Sequence, residues 1–253
     1  MSRSVTRVDP HVKVLDDRVV RRAKRFGLDV LVYAPHFTPL SEIRERAAAY
    51  TDDDLLVVPA RELFTGSWRN RRHVLALGLD GPIPDFVTLD GAMAELRAQD
   101  AVVLVPHPEF LTVSLDEAAI RRYRDVVDAV EVYNPKHWAR HNRRARAIAR
   151  DLDLPVFGSS YAHRHATVGE VWTEFDTAVD TETDLLAAFR EATPRRVRHR
   201  TGLVHEVRRR AEFAHLGSEN SVKKFDRVVL SGTEATHPRQ PVYEGQFDDI
   251  AVY

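Results

Sequence analysis

The chain has 253 residues, with 37 Lys and Arg against 38 Asp and Glu, 12 His and no Cys. The near-zero net charge argues against a nucleic-acid coat protein, and zero cysteine excludes a disulfide scaffold, a cysteine zinc finger, an iron–sulfur cluster and a thiol nucleophile. The apolar share of 43% suits a domain with a sizeable core, and any metal bound here needs His and carboxylate ligands.

Short Val-rich runs at residues 5–8, 28–33, 55–58, 74–79, 101–105, 129–133 and 154–157 read as strands buried on both faces. Helix-like stretches fall between most of them: 16–26, stopped by Gly27, then 40–50, 89–99, 115–127 and 139–152, with a shorter one at 183–191. Residues 61–70 are too short and too polar for a helix, so a loop is expected there. Strand–helix alternation predicts βαβ units and a mostly parallel sheet. Seven strands within residues 1–195 fit a small or incomplete (β/α) barrel better than an open doubly wound sheet. No GxGxxG or Walker A loop follows a strand, which leaves the usual nucleotide readings of such a sheet unsupported.

Past Pro194 the texture changes. From Arg195 to Arg210 there are seven Arg and one Glu, followed by turn signals at 216–218, 231–233 and 237–238 and an acidic pair, Asp248-Asp249. The expected organisation is a barrel over residues 1–195 and an extension over 196–253 packed on it. No segment approaches the ~18 apolar residues of a membrane span. Met1-Ser2-Arg3-Ser4 opens no signal peptide, so the expected location is cytoplasmic.

His11, His36, Glu62, His107 and His163 each follow the end of a strand run by two to six residues, and His73 abuts the run at 74–79. In a parallel barrel all strand C-termini open on one face, where such groups converge. Imidazole with carboxylate is ligand chemistry for Zn, Mn or Fe(II), and a carboxylate among several His suits water activation for hydrolysis. One His after a strand is ordinarily a loop or capping residue; six groups in register are not independent accidents. His137, His141, His165, His199, His205, His215 and His237 lie in helical or tail contexts and read as surface or satisfied polar residues.

The motifs in order are Asp9-Pro10-His11-Val12-Lys13, Gly27-Leu28-Asp29 through Pro35-His36, Pro59-Ala60-Arg61-Glu62, His73-Val74, Pro106-His107-Pro108, Glu131-Val132-Tyr133-Asn134 and Gly158-Ser159-Ser160-Tyr161-Ala162-His163-Arg164. This series resembles the PHP (polymerase and histidinol phosphatase) domain family across residues 5–195. The resemblance implies a distorted (β/α)7 TIM-like barrel, up to three metals at the strand C-termini, and hydrolysis of phosphate esters. It also marks departures. Lys13 stands where the family has a second His, Pro35 and Tyr161 stand where it has Asp, and the interval from His11 to His36 is shortened. Losing that His and the later Asp together resembles the coordinated loss of one metal position. Lys13 would then supply a fixed cation to Glu62 or to a phosphate, and it is the catalytic candidate.

The reduced set implies one three-ligand group, Glu62, His73 and His107. His36 and His163 would form a weaker second site with His11 nearby, for one or two ions of Zn, Mn or Fe. Arg61, Asn134, Tyr161 and Arg164 are the candidates for holding substrate, with a rim salt bridge equally open for Arg61 and Arg164. The expected function is hydrolysis of a phosphate mono- or diester, on a small phosphorylated substrate or nucleotide. The alternative is a non-catalytic barrel that binds RNA or a protein partner, with a weak nucleic-acid contact through the Arg195 to Arg210 stretch. A hydrolase of another bond, such as C–N, is a third possibility. The basic stretch has no interleaved aromatics, and a solvated helix face is its plainer reading.

Overall fold

The computed structural model describes residues 5–66, 71–110, 113–208, 210–211, 234–243 and 247. All seven Val-rich runs form strands: β1 (Thr6–Val12), β2 (Val30–Tyr33), β3 (Leu56–Thr65), β4 (Arg72–Leu77), β5 (Val102–Val105), β6 (Ala129–Tyr133) and β7 (Val156–Gly158). Between them lie α1 (Asp17–Arg25), α2 (Leu40–Tyr50), α3 (Leu89–Ala98), α4 (Glu117–Arg122) and α5 (Ala139–Asp151). Two strands and a helix complete the described core: β8 (Val171–Phe175), α6 (Glu182–Arg190) and β9 (Arg195–His199). Asp16, Thr88, Asp116 and Thr181 cap α1, α3, α4 and α6 by accepting backbone N–H groups, each worth about 1 kcal/mol.

One sheet runs in the order β7-β6-β5-β4-β3-β2-β1-β8-β9 and curls into a distorted, nearly closed TIM-like barrel. Its parallel character is partial. β1, β2 and β3 pair in parallel, as do β5, β6 and β7, but β4 is antiparallel to both β3 and β5. The reason lies in residues 61–70, where a loop was expected. The chain stays extended through Thr65, and Arg72 already pairs back with it in an antiparallel hairpin, too few residues later for a crossover helix. β8 and β9 add a second antiparallel pair, with β9 carrying the sheet past residue 195 to His199.

Inside the barrel, alternate residues such as Val30, Val32, Val58, Ala60, Leu75, Leu77, Val102 and Leu104 pack together. Leu185, Ala188 and Phe189 of α6 join them, at the end where β1 begins, since Phe175 pairs with Thr6 and its ring lies 5.2 Å from that of Phe189. The opposite phase faces the helices: Leu31 and Val57 meet α1 and α2, while Val103, Val105, Val130 and Val132 share a cluster with residues of α3, α4 and α5. The end without α6 is open to polar residues, and every predicted ligand lies there.

Part of the extension is described. The backbone N–H of Asp85 donates to Thr236 O at 2.9 Å, and the Thr236 hydroxyl donates to the Asp85 carboxylate. Residues 1–4, His215, the turn signals at 216–218 and 231–233, and Asp248-Asp249 lie outside the described residues. Among the described residues, no helix is long and apolar enough to cross a membrane.

Candidate metal centre

Strand alternation delivers some ligands and irregularities deliver the rest. On β3 the interior series Val58, Ala60 continues to Glu62; on β4 the series Leu77, Leu75 continues to His73; after β2 the series Val30, Val32, Ala34 leads to His36. His73 begins its strand instead of ending one because β4 is antiparallel, which puts that beginning beside the end of β3: Phe64 pairs with His73. On β1 the register shifts between Asp9 and Val12. From Val8 inward, strict alternation would send His11 and Lys13 outward; the bulge reverses the phase, and Val12 joins the outer cluster. His107 is likewise turned by a left-handed backbone (φ 35°), as are Phe37 (φ 52°) and Tyr161 (φ 47°). Non-glycine residues in that region are strained, and such strain gathers at functional sites.

Glu62 is the hub. Its Oε1 lies 3.1 Å from His107 Nε2, 3.4 Å from His73 Nδ1 and 3.7 Å from His11 Nε2. Its Oε2 lies 3.0 Å from His36 Nδ1 and in contact with Lys13 Nζ. Glu62 and His11 are fully buried, and Lys13, His73, His107 and His163 are buried. Burial alone would push the Glu62 carboxyl up, but Lys13 and the surrounding histidines outweigh it and hold the group well below the carboxylate range. Burial, reinforced by Lys13, pushes His11 down to about 3, and burial also lowers His36, His73 and His163. Neutral imidazole is the form that ligates metal.

The donor set fits a divalent cation. Glu62, His73 and His107 each offer one ligand atom, and these three atoms lie within 4.8 Å of one another, a span suited to a tetrahedral site with one position left open. Both nitrogens of His11 and of His73, and Nδ1 of His36, are buried without a hydrogen-bond partner. Buried orphans of this kind are costly unless a cation engages them.

Supporting residues hold the hub. Glu131 is buried and accepts from the His107 backbone N–H at 2.7 Å, from Ser159 Oγ at 2.5 Å and from Asn134 Nδ2 at 3.1 Å; burial raises its pKa. Ser114 Oγ lies 2.8 Å from His107 Nδ1 and donates to the Phe110 carbonyl. Lys13 N–H bonds to Ala162 O at 2.8 Å, tying β1 to the segment that carries His163.

The substrate candidates fall in different places. Half-buried Tyr161 lays its ring against His11, His163 and His107, with centroids 4.8, 4.7 and 5.2 Å away. Arg164 is exposed. Asn134 is buried and bonded to Glu131, Asn142 and the Lys136 backbone. Arg61 points away from Glu62, as its strand neighbour must; it is 1% exposed and pairs with Asp85 at 2.9 Å and with Thr38 O. That is the salt-bridge reading of Arg61. In the basic stretch, Arg198 pairs with Glu174, while Arg208 and His205 pair with Glu170. His137 and His237, read as unremarkable, are buried, and the His137 ring lies 6.2 Å from that of His107. Motif reading passed over Ser114 and Lys136, which belong to loops with no ligand spacing; the signal for Glu131 was its polar place in an apolar strand.

Comparison with known proteins follows this geometry. A family model described as PHP-associated matches residues 139–194, from α5 to the residue before β9. The crystal structure of PsfC from Pseudomonas syringae PB-5123 is 25% identical, covering 84% of this chain and 99% of its own, with a TM-score of 0.63. The barrel has the fold of PHP-domain proteins, and its 139–194 segment matches the PHP-associated model. Two further structures share the PHP fold with it at lower identity. The lesion-specific endonuclease PfuEndoQ from Pyrococcus furiosus is 14% identical over 76% of this chain and 57% of that one, with a TM-score of 0.56. An amidohydrolase from Chromobacterium violaceum is 14% identical over 62% of this chain and 87% of that one, with a TM-score of 0.50. No curated protein matches the sequence.

Proposed function

We propose that this chain belongs to the PHP family and is a metal-dependent hydrolase of phosphate mono- or diesters, with its cation on Glu62, His73 and His107. One observation carries the reading. The Ser114 hydroxyl lies 2.8 Å from Phe110 O, a pure acceptor, and with its hydrogen directed there it accepts from His107 Nδ1. Nδ1 therefore holds the imidazole hydrogen, and Nε2 turns a lone pair toward Glu62 Oε1 at 3.1 Å. Two acceptors facing each other in a buried site favour a cation between them.

A divalent cation bound there would acidify water and withdraw charge from a phosphoryl oxygen. The chain's own groups do the rest. Lys13 anchors Glu62 through Oε2, which leaves Oε1 for the cation. The buried setting strengthens each of these charge interactions relative to water. Tyr161 lies across the histidines, and exposed Arg164, one residue from His163, is placed to meet a phosphate from the rim.

The Lys13–Glu62 contact supports a second reading, in which the bowl binds a phosphorylated partner without turnover. One experiment separates the two: metal content per chain, with turnover of p-nitrophenyl phosphate and bis-p-nitrophenyl phosphate at added Mn²⁺ or Zn²⁺. Bound metal with turnover that His107→Ala abolishes is the expected result. Metal without turnover favours the binding reading, and a metal-free, inactive protein overturns the hydrolase.

A further inference from the structure

Two ammonium groups stand in the bowl. Lys13 Nζ donates to Ala34 O at 2.6 Å and to Glu62 Oε2. Lys136, 4% exposed, donates to Tyr161 O and lies 3.0 Å from His163 Nδ1. Both stand by one ring: the Tyr161 centroid is 5.8 Å from Lys13 Nζ and 4.3 Å from Lys136 Nζ.

An ammonium donates and cannot accept. His163 Nδ1 must therefore accept from Lys136, which places the imidazole hydrogen on Nε2. The Tyr161 carbonyl, also 3.0 Å from Nδ1, is served by Lys136 itself. Neither nitrogen of His163 then has a lone pair to offer a metal. Lys13 engages the outer oxygen of Glu62 in the same manner. Without the two lysines, Glu62 Oε2, His36 Nδ1, His163 Nδ1 and His11 would make a second donor set beside the first; the rings of His36 and His163 are 5.9 Å apart. With the lysines present, that set is closed on two sides.

We propose that this PHP bowl holds a single divalent cation, and that Lys13 and Lys136 together occupy the place of a second. Each lysine engages one group that a second ion would need. The inference rests on the proposed function for its first cation and adds the number of ions and a role for Lys136. The lysines hold their positive charge in place, whatever the supply of metal.

The test counts metal, independently of turnover. The full chain is dialysed to equilibrium against Mn²⁺ or Zn²⁺, and ions per chain are measured by mass spectrometry, with circular dichroism to confirm folding. One ion per wild-type chain is expected, rising to two in the double variant Lys13→Met with Lys136→Met. Two ions per wild-type chain overturn the inference with no variant needed, and leave the hydrolase reading intact. One ion in both proteins also overturns it. No ion in the wild type removes the Glu62–His73–His107 site itself, and the hydrolase reading falls with it.

Discussion

His107 Nδ1 lies 2.8 Å from Ser114 Oγ, and that hydroxyl passes its own hydrogen to Phe110 O. With that hydrogen on Phe110 O, neutral His107 carries its own on Nδ1 and turns the Nε2 lone pair toward Glu62 Oε1. Groups that orient a ligating His typically contribute 10–100-fold in metal affinity. Ser114→Ala is expected to weaken binding by roughly that factor while the fold persists. Competition against a chromogenic chelator measures it, and unchanged affinity would contradict the tautomer assignment.

Glu62 and Lys13 are buried together, and removing one partner strands the other. In metal-free protein, Glu62→Gln should lower unfolding free energy by about 3–5 kcal/mol. Urea titration in the presence of a chelator reads this directly. A change below about 1 kcal/mol would show that the pair behaves as an exposed one does.

Asp9 adds a pH dependence. Burial pushes its carboxyl up to about 7 from an ordinary 3.8, only partly offset by hydrogen bonds from Ser160. Between those values the unfolded chain has lost a proton that the folded chain keeps, so stability falls as pH rises. The contribution is full below 3.8 and gone above about 7, a span on the order of 4 kcal/mol. Relative to wild type, metal-free Asp9→Asn should gain stability steadily across that window. Thermal melts at intervals of pH would reveal the trend, and parallel profiles for the two proteins would refute it.

Gly158 sits where β7 approaches β9. A Cβ there would lie 2.4 Å from Val197 Cγ1 and 3.2 Å from Tyr133 O. Gly158→Ala should therefore cost about 1–3 kcal/mol by overpacking, read as a lower urea midpoint at unchanged slope. A neutral result would mean that Val197 can move aside.

Much of this was legible in advance because strand ends announce themselves. His36 and Glu62 follow Val-rich runs in the phase that alternation dictates, while His163 lies beyond a left-handed Tyr161. His11 and His107 lie out of phase, and only a bulge and a left-handed residue bring them inward, features that leave no hydrophobic pattern. His73 abuts the start of its run, which is out of place on a parallel strand; the hairpin that brings it in runs through Leu63, Phe64 and Thr65, inside the stretch that reads as a loop. Arg61 looked like a phosphate contact by adjacency to Glu62, yet neighbours on a strand face opposite ways. β8 and β9 leave no Val-rich run: β8 carries Thr173 and Glu174, and β9 is mostly basic, Arg195, Arg196 and Arg198 around Val197, which reads as a surface.

The barrel closes by thin means. β7 and β8 face each other across the seam, where one hydroxyl, Thr173 Oγ1, accepts from Gly158 N and donates to Gly158 O at 3.0 Å each. The Val12 to Ala162 bridge, the Lys13 N–H on Ala162 O and the Ser160 N–H on Asp9 fasten the rim above. On the far side, Glu62 and His73 stand on a hairpin with six paired positions. The bowl thus has one wall held by a continuous ladder and one held by a few separate bonds. Loosening at the seam would carry Tyr161 and His163 outward as a door swings, while the frame that carries Glu62 and His73 stays paired.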